Sequence, residues 1–437
     1  MQQSTSEVLA GRATDDARPS PPLTYASTRG APGRRIGVYY LIEGISSHAV
    51  ALMLSSIYFY TTGRFGWRSA QNFLLAAVLG VIYVACALLA HAITSRLGRR
   101  QTLVAVYLAM SAAAAVLAFR HDSPPLLAAV LFVYSGLSAI SWPALESLVS
   151  SGAGAHELSR RLGVYNCVWS GAGAVTVALS GALLKYWPAG TFVIPASWHV
   201  LMALLLIGLL AKNRGAAAPV ETEGSTSSGH AHLEAEPELL RVRTLALWMS
   251  RLALPATFVV ISSLLAAMPT LPLVLRLDPA ARTVVGSVWM AARWVAFLVL
   301  GATVWWHTRP RALLTAALLL LAGFIAVTLR PQWLPGEPEL STGPWLLWMV
   351  GWQVVLGLAL GLIYAASLYF GMVLSDGSTE HGGYHEALIG LGTILGPGAG
   401  ALAEKVGHGD PYWGVLAVST VLAASVVACG VVAIRRV

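Results

Sequence analysis

Residues 380–404 read EHGGYHEALIGLGTILGPGAGALAE, and three readings compete for them. His381 and His385, with Glu386 alongside, have the spacing of metal ligands on one helical turn. Gly390, Gly392 and Gly396 invite comparison with a phosphate-cradling loop. The third reading is a membrane-embedded helix whose glycines let a neighbour approach closely. The metal reading needs helix through 381–385, and Gly382-Gly383 argues against a helix that starts before them. The phosphate reading needs one residue fewer between Gly392 and Gly396 and a strand in front of them. Glycines 392, 396 and 400 instead keep a four-residue rhythm that predicts a smooth helical face, and Pro397 can bend the helix there. No metal and no cofactor is expected.

The rest of the chain favours the third reading. It has 437 residues, 56% hydrophobic and only 11% charged, against about 25% charge in soluble domains. A chain this apolar could not cover its own surface in water. The net charge of +8, from 28 Lys and Arg against 20 Asp and Glu, could in principle serve nucleic acid. Its placement between apolar stretches fits membrane loops, so no nucleic-acid partner is expected. Cys86, Cys167 and Cys429 lie far apart in apolar runs and offer neither a disulfide framework nor a metal spacing. Residues 1–33 are polar and rich in Pro, Ser and Gly, without the apolar core of a signal peptide. They are expected to form a disordered cytoplasmic tail.

Apolar stretches of about 20 residues or more, enough to cross a bilayer, recur at 36–62, 69–94, 102–120, 124–150, 158–184, 189–212, 244–268, 283–306, 311–330, 343–374, 379–406 and 412–434. The fold class expected is an all-α polytopic membrane protein of about twelve transmembrane helices. Residues 213–243 interrupt the rhythm and divide the chain into halves at 34–212 and 244–437. This linker is expected to be a cytoplasmic loop, with a short surface helix near HLEAEPELLRV and two solvated histidines in GHAH. Arginine and lysine near the span ends set orientation. The side bearing Arg34, Arg35, Arg96, Arg99, Arg100, Arg160, Arg161, Arg309 and Arg311 is the richer. It is expected to be cytoplasmic, with both termini, in a cell or inner membrane.

An internal repeat supports the division. YNCVWSGAGAVTVALSGAL from Tyr165 aligns without gaps to YHEALIGLGTILGPGAGAL from Tyr384, half the chain later. Gly171 and Gly173 pair with Gly390 and Gly392, and Gly181 with Gly400. A second echo sets TSRLGRR (Thr94 to Arg100) after span two beside TRPR (Thr308 to Arg311) after span eight. Two homologous six-helix halves joined by a loop is a carrier architecture.

On these residues the chain resembles the major facilitator superfamily over nearly its whole length after the tail. In that family the loop between spans two and three carries an Asp followed by Arg-x-Gly-Arg-Lys/Arg. Arg96, Gly98, Arg99 and Arg100 match it, while Ser95 stands in place of the Asp and His91 in place of an earlier glycine. The resemblance implies two pseudo-symmetric halves, a central cavity lined by spans one, four, seven and ten, and alternating access. Drug exporters of the family carry Gly-Pro in span five. Here Ala178 stands where the proline would align and Gly396-Pro397 falls in span eleven, which argues against that branch.

Gly98 permits a tight turn between antiparallel helices. Arg96, Arg99 and Arg100 are expected to hold it at the anionic face and to make contacts specific to one gating state. Ionisable groups inside a membrane are costly, so each is a functional candidate. They are Glu43, His48, Glu146, His199, Arg251, Arg293, His385 and Glu386. Glu43 and Glu146 are candidates for carrying protons, or else for helix-to-helix hydrogen bonds. Arg251 is a candidate gating partner for them across the halves, or else snorkels to the headgroups. Arg293, between Trp289 and Trp294, needs a carboxylate of the protein or an anionic substrate, and an internal partner is the first expectation. His48, Gln353, Tyr364 and Tyr369 are cavity candidates, and His385 with Glu386 a gating or proton-handling pair. Glycines 171, 173, 390, 392, 396 and 400, with Pro397, are read as helix-packing residues.

No GxxxxGK[ST] loop is present, which argues against a nucleotide-driven pump on this chain. The function expected is a proton-coupled secondary transporter for a small molecule, working as a monomer in the bilayer and not an enzyme. An integral-membrane enzyme built around Glu380, His381, His385 and Glu386, or a carrier-like sensor or scaffold, are the alternatives.

Overall fold

A computed structural model describes residues 32–151, 153, 155–214, 237–328, 342–374 and 379–435. Residues 1–31 and 215–236, with most of the expected tail and linker, lie outside the described residues, as do the side chains of Glu380 and His381. Every regular element described is helical. Twelve helices are long and apolar enough to cross a membrane. They are Ile36–Phe65, Ser69–Leu97, Arg99–Phe119, Pro124–Ser150, Arg160–Tyr186, Gly190–Ala211, Arg241–Thr270, Pro279–Ala302, Arg311–Thr328, Gly343–Gly371, Tyr384–Val406 and Pro411–Ile434, hereafter spans one to twelve.

Three sequence expectations about boundaries change. Span eight begins at Pro279, where the Asp278 carboxylate caps the helix by accepting from the Ala280 N–H at 3.0 Å. It breaks at Ser287 and ends at Ala302, earlier than its apolar run. The segment near HLEAEPELLRV is no separate surface helix from Pro237 onward, because the helix Pro237–Ala267 runs straight into span seven. The helix of span eleven starts at Thr379 and passes through Gly382-Gly383. Two helical glycines cost about 2 kcal/mol relative to alanine, which the packing of the rest of this long helix outweighs.

Glycines decide how the two halves meet, as spans in lipid associate through close packing more than through apolar burial. A Cβ at Gly171 would stand 2.8 Å from Trp294 Nε1 of span eight, and one at Gly390 would strike Val84 of span two. These two glycines are repeat mates, and the contacts they make, five on eight and eleven on two, are mates as well. Gly181 on Thr283 and Gly400 on Phe73 extend the same correspondence toward the other end of the helices. Gly392 and Gly396 instead face span seven, at Pro255 O and at Ser263 with Val259. The expected single face of 392, 396 and 400 is therefore split, because span eleven is wedged between spans two and seven. Pro397 lies inside this helix.

The Gly98 turn has the expected geometry, with φ of +83° in the region that glycine tolerates best. Arg100 Nε donates to Tyr39 Oη at 2.9 Å and ties the turn to span one. Arg96 and Arg99 are exposed. Ser95 is exposed too and its hydroxyl donates to Ala92 O of its own helix.

The chain has two faces: the terminal face, which carries the Gly98 turn and both described chain ends, and the opposite face. At the opposite face the halves are stitched together. Lys185 Nζ lies 3.1 Å from Asp278 Oδ2. The Thr283 hydroxyl donates to Ala178 O at 3.0 Å and accepts from Gly181 N–H at 2.9 Å. Ser69 Oγ donates to Glu404 Oε2 at 2.7 Å, and Asn72 Nδ2 to Ala266 O at 3.3 Å.

Candidate functional site

Between the halves lies a cavity of about 250 Å³ lined by spans one, two, four, five, seven, eight, ten and eleven. Span one reaches it with a π-helical turn, Ala51–Ser55, of which Ala51, Leu54 and Ser55 line the cavity. Such turns are rare and recur at functional sites. Much of the wall is aromatic: Tyr58, Tyr83, Trp142, Tyr165, Trp169, Phe258, Trp289 and Tyr364. The rings have specific contacts, for instance Trp169 and Tyr364 with centroids 5.3 Å apart across the two halves.

Glu43, Glu146 and Glu386, from spans one, four and eleven, all line this cavity. They are buried and lie within electrostatic reach of one another. Glu43 Oε1 accepts from Ser47 Oγ at 3.0 Å, whereas Oε2 is buried with no hydrogen bond of good geometry among the described residues, the Tyr165 hydroxyl being nearby. Glu386 Oε2 accepts from Tyr83 Oη at 2.5 Å, a bond between spans eleven and two and so between the halves. Among the described residues the ion pairs are Arg64–Asp122, Arg161–Glu157 and Lys185–Asp278, so none of these carboxylates faces a cation at pairing distance. The pair expected between Arg251 and Glu43 or Glu146 is not formed. Arg251 is half-buried near His385 instead.

Arg293 is 4% exposed and lines the same cavity. Its guanidinium carbon lies 4.5 Å from the Trp169 ring and 5.2 Å from the Trp289 ring. Nε approaches Ser170 Oγ at 3.4 Å. The internal carboxylate expected for it is absent among the described residues: its partners are indoles and one hydroxyl. Of the flanking tryptophans, Trp289 serves it, and Trp294 packs on Gly171.

Other candidates are placed elsewhere. His48 Nδ1 is 2.5 Å from Thr176 Oγ1 and its ring meets Trp198 at 6.3 Å, so it binds span one to spans five and six and does not line the cavity. His199 is enclosed in the first half, 2.6 Å from Tyr134 Oη and stacked on Tyr107. Tyr369 stacks on His307 with centroids 4.1 Å apart, outside the cavity. Gln353 is also outside it, fully buried. His385 lies behind the wall, 3.3 Å from Ser367 Oγ and edge-on to Tyr364. Tyr364 does line the cavity, and its ring also touches Phe258 and Phe297.

A cavity shared by two six-helix halves and closed at one face has the form of a carrier. The model of a protein family described as Major Facilitator Superfamily matches residues 36–397. The chain belongs to the major facilitator superfamily. Among solved structures it is similar to the crystal structure of the nucleoside transporter NupG, at 12% identity and a TM-score of 0.63, over 91% of this chain and 98% of that one. A mutant of the same transporter gives 12% identity and a TM-score of 0.65, over 92% and 99%. At this identity the likeness shows the fold alone. No curated protein matches the sequence.

For this superfamily member the sequence drew attention to Glu43, Glu146, Glu386 and Arg293 because charge inside an apolar run stands out. It passed over Tyr83, Trp169 and Tyr165. Aromatic residues are common in membrane helices, and only the packed structure shows which of them turn inward. One signal was available: Tyr165 opens the internal repeat, and Trp169 lies one turn further on.

Proposed function

We propose that this superfamily member is a secondary active transporter that carries a small solute by alternating access and couples its movement to protons. The observation that carries the reading is the central cavity itself. It is shared by both halves, bonded shut at the opposite face, and holds three buried carboxylates with, among the described residues, no cation at pairing distance. An ionised carboxylate in such a place loses several kcal/mol of hydration, so a proton is its natural counter-charge. A change of access that wets or dries the cavity then loads or releases that proton.

The halves that move are 34–212 and 244–437, joined through 213–243, of which the part from Pro237 onward is already helix continuous with span seven. On the reading that the arginine-rich terminal face is cytoplasmic, the stitched face is external and opens in the other half of the cycle. Tyr83–Glu386 spans both halves inside the cavity and couples the protonation of one carboxylate to their relative position. Gly98, Arg96, Arg99 and Arg100 anchor the terminal face through that movement.

The test is reconstitution in liposomes with an entrapped pH indicator and a broad solute panel. Solute-dependent proton movement that is lost in Glu146→Gln and Glu386→Gln protein supports the reading. Solute flux that is indifferent to a proton gradient in wild type and in both variants removes the coupling, and an inert protein across the whole panel removes transport.

A further inference from the structure

Among the described residues the Arg293 guanidinium is the one cation lining the cavity, and its surroundings dictate what it can hold. Two indoles, Trp169 from the first half and Trp289 one turn earlier on its own helix, lie against it at 4.5 and 5.2 Å. Aromatic faces stabilise a cation without consuming its N–H groups. Of the guanidinium donors, only Nε has a hydrogen-bond partner among the described residues, Ser170 Oγ at a long 3.4 Å. Both terminal nitrogens are without a hydrogen-bond partner among the described residues. A guanidinium with its donor edge unused is a fork for two oxygens of one oxyanion.

We propose that this edge of Arg293 is the anion subsite of the cavity, and that the transported solute is a monovalent organic carboxylate with an apolar, preferably aromatic, body. The proposal rests on the transporter reading above and names the substrate class of that same site. The body is set by the wall, where Leu54, Leu79, Ile261, Leu265 and Met290 alternate with the aromatic rings. The single charge is set by the balance of the cavity, which offers one cation and three carboxylates. A dianion would meet one positive group and the repulsion of any carboxylate that is ionised.

Binding to purified, detergent-solubilised protein tests this without requiring transport. The probes are 3-phenylpropionate, indole-3-acetate and hexanoate, with 3-phenylpropionamide, 3-phenylpropylamine, phenylalanine and phenyl phosphate as comparators, each measured by calorimetry and by thermal shift. The carboxylates should bind, the isosteric amide about 10- to 100-fold more weakly, and the aryl acids more tightly than hexanoate. Arg293→Gln should weaken carboxylate binding by a similar factor and leave the amide unchanged. Arg293→Lys, which keeps the charge but loses the fork, should fall between and also guards against a glutamine variant that does not fold. Equal binding of acid and amide, tighter binding of the amine, phenylalanine or phenyl phosphate, or no binding by any carboxylate overturns the proposal. An acid that binds through Arg293 yet crosses no liposome membrane under any gradient defeats the transporter reading and leaves the subsite. Proton-driven flux of a cationic solute untouched by Arg293→Gln defeats the subsite and leaves the transporter.

Discussion

Gly392→Ala and Gly398→Ala are the same chemical change on the same helix, six residues apart, and the structure predicts opposite signs for them. A Cβ at Gly392 would overlap the carbonyl oxygen of Pro255, with Phe258 Cβ at 2.8 Å and Pro255 C at 3.0 Å. Two of those three atoms are backbone, so no rotamer change relieves the clash and spans seven and eleven must move apart. Overpacking of this kind costs about 1–3 kcal/mol, and a rigid backbone obstacle places this site at about 3. Replacing a helical glycine by alanine returns about 1 kcal/mol, which leaves a net loss of about 2. At Gly398 the nearest atom to a new Cβ is Ala77 Cβ at 3.9 Å, an ordinary contact, so the gain in helix propensity is unopposed. Thermal unfolding of both variants in one detergent is the assay. Gly392→Ala should melt several degrees below wild type, and Gly398→Ala at or above it. A Gly392→Ala protein as stable as Gly398→Ala would refute the close approach of spans seven and eleven.

Further outcomes follow from the stitched face and the carboxylates. Thr283→Val keeps the shape but removes the hydroxyl that bonds Ala178 O and Gly181 N–H; at about 1 kcal/mol net it should shift the balance of open and closed states roughly five-fold, read by labelling of a cysteine placed near that face. Asp278 lies outside the spans, and its carboxylate is held below its ordinary value of 3.8, first by the Ala280 N–H that it caps and then by Lys185. A lowered acid contributes its interaction above the unfolded value and loses it as pH falls through the lower folded one. The Lys185–Asp278 contact should therefore be constant from pH 5 to 8, and Asp278→Asn should leave any conformational change within that window in place. If that change vanishes in Asp278→Asn protein, the proton is not read by the cavity. Tyr83→Phe removes the hydroxyl that bonds Glu386 across the halves and should alter the pH profile of proton-coupled flux more than its solute affinity; an unchanged profile assigns Tyr83 a packing role.

Membrane sequence announces the lengths of its helices and conceals their faces. All twelve spans could be read because about 20 apolar residues have few other uses, and the repeat from Tyr165 to Tyr384 paired Gly171 with Gly390, though not the helices that each of them meets. Which side of a span faces lipid, protein or cavity was harder, since apolar residues suit the first two equally. That is why His48 looked like a cavity residue and lies against Thr176 and Trp198. It is also why Tyr369 was grouped with Tyr364 although it stacks on His307 instead. The break at Ser287 did leave a mark, since Gly286-Ser287 is the kind of pair at which helices kink, but the unbroken apolar run around it hid the signal. Arg293 was conspicuous alone, but its pairing with Trp169 joins residues far apart in the chain and depends on how the halves dock.

The central claim is that the two halves exchange access to one cavity under the control of protons. Spin labels at 186 and 276 report the stitched face, and labels at 97 and 309 the terminal face, all four positions being exposed. With Cys86, Cys167 and Cys429 replaced and the protein in lipid nanodiscs, both distances can be measured by pulsed electron resonance between pH 5 and 8. The account predicts reciprocal changes, one pair lengthening as the other shortens, and their loss when Glu146 and Glu386 are both replaced by Gln. Two distances that stay fixed at every pH and with every carboxylate tested would contradict it.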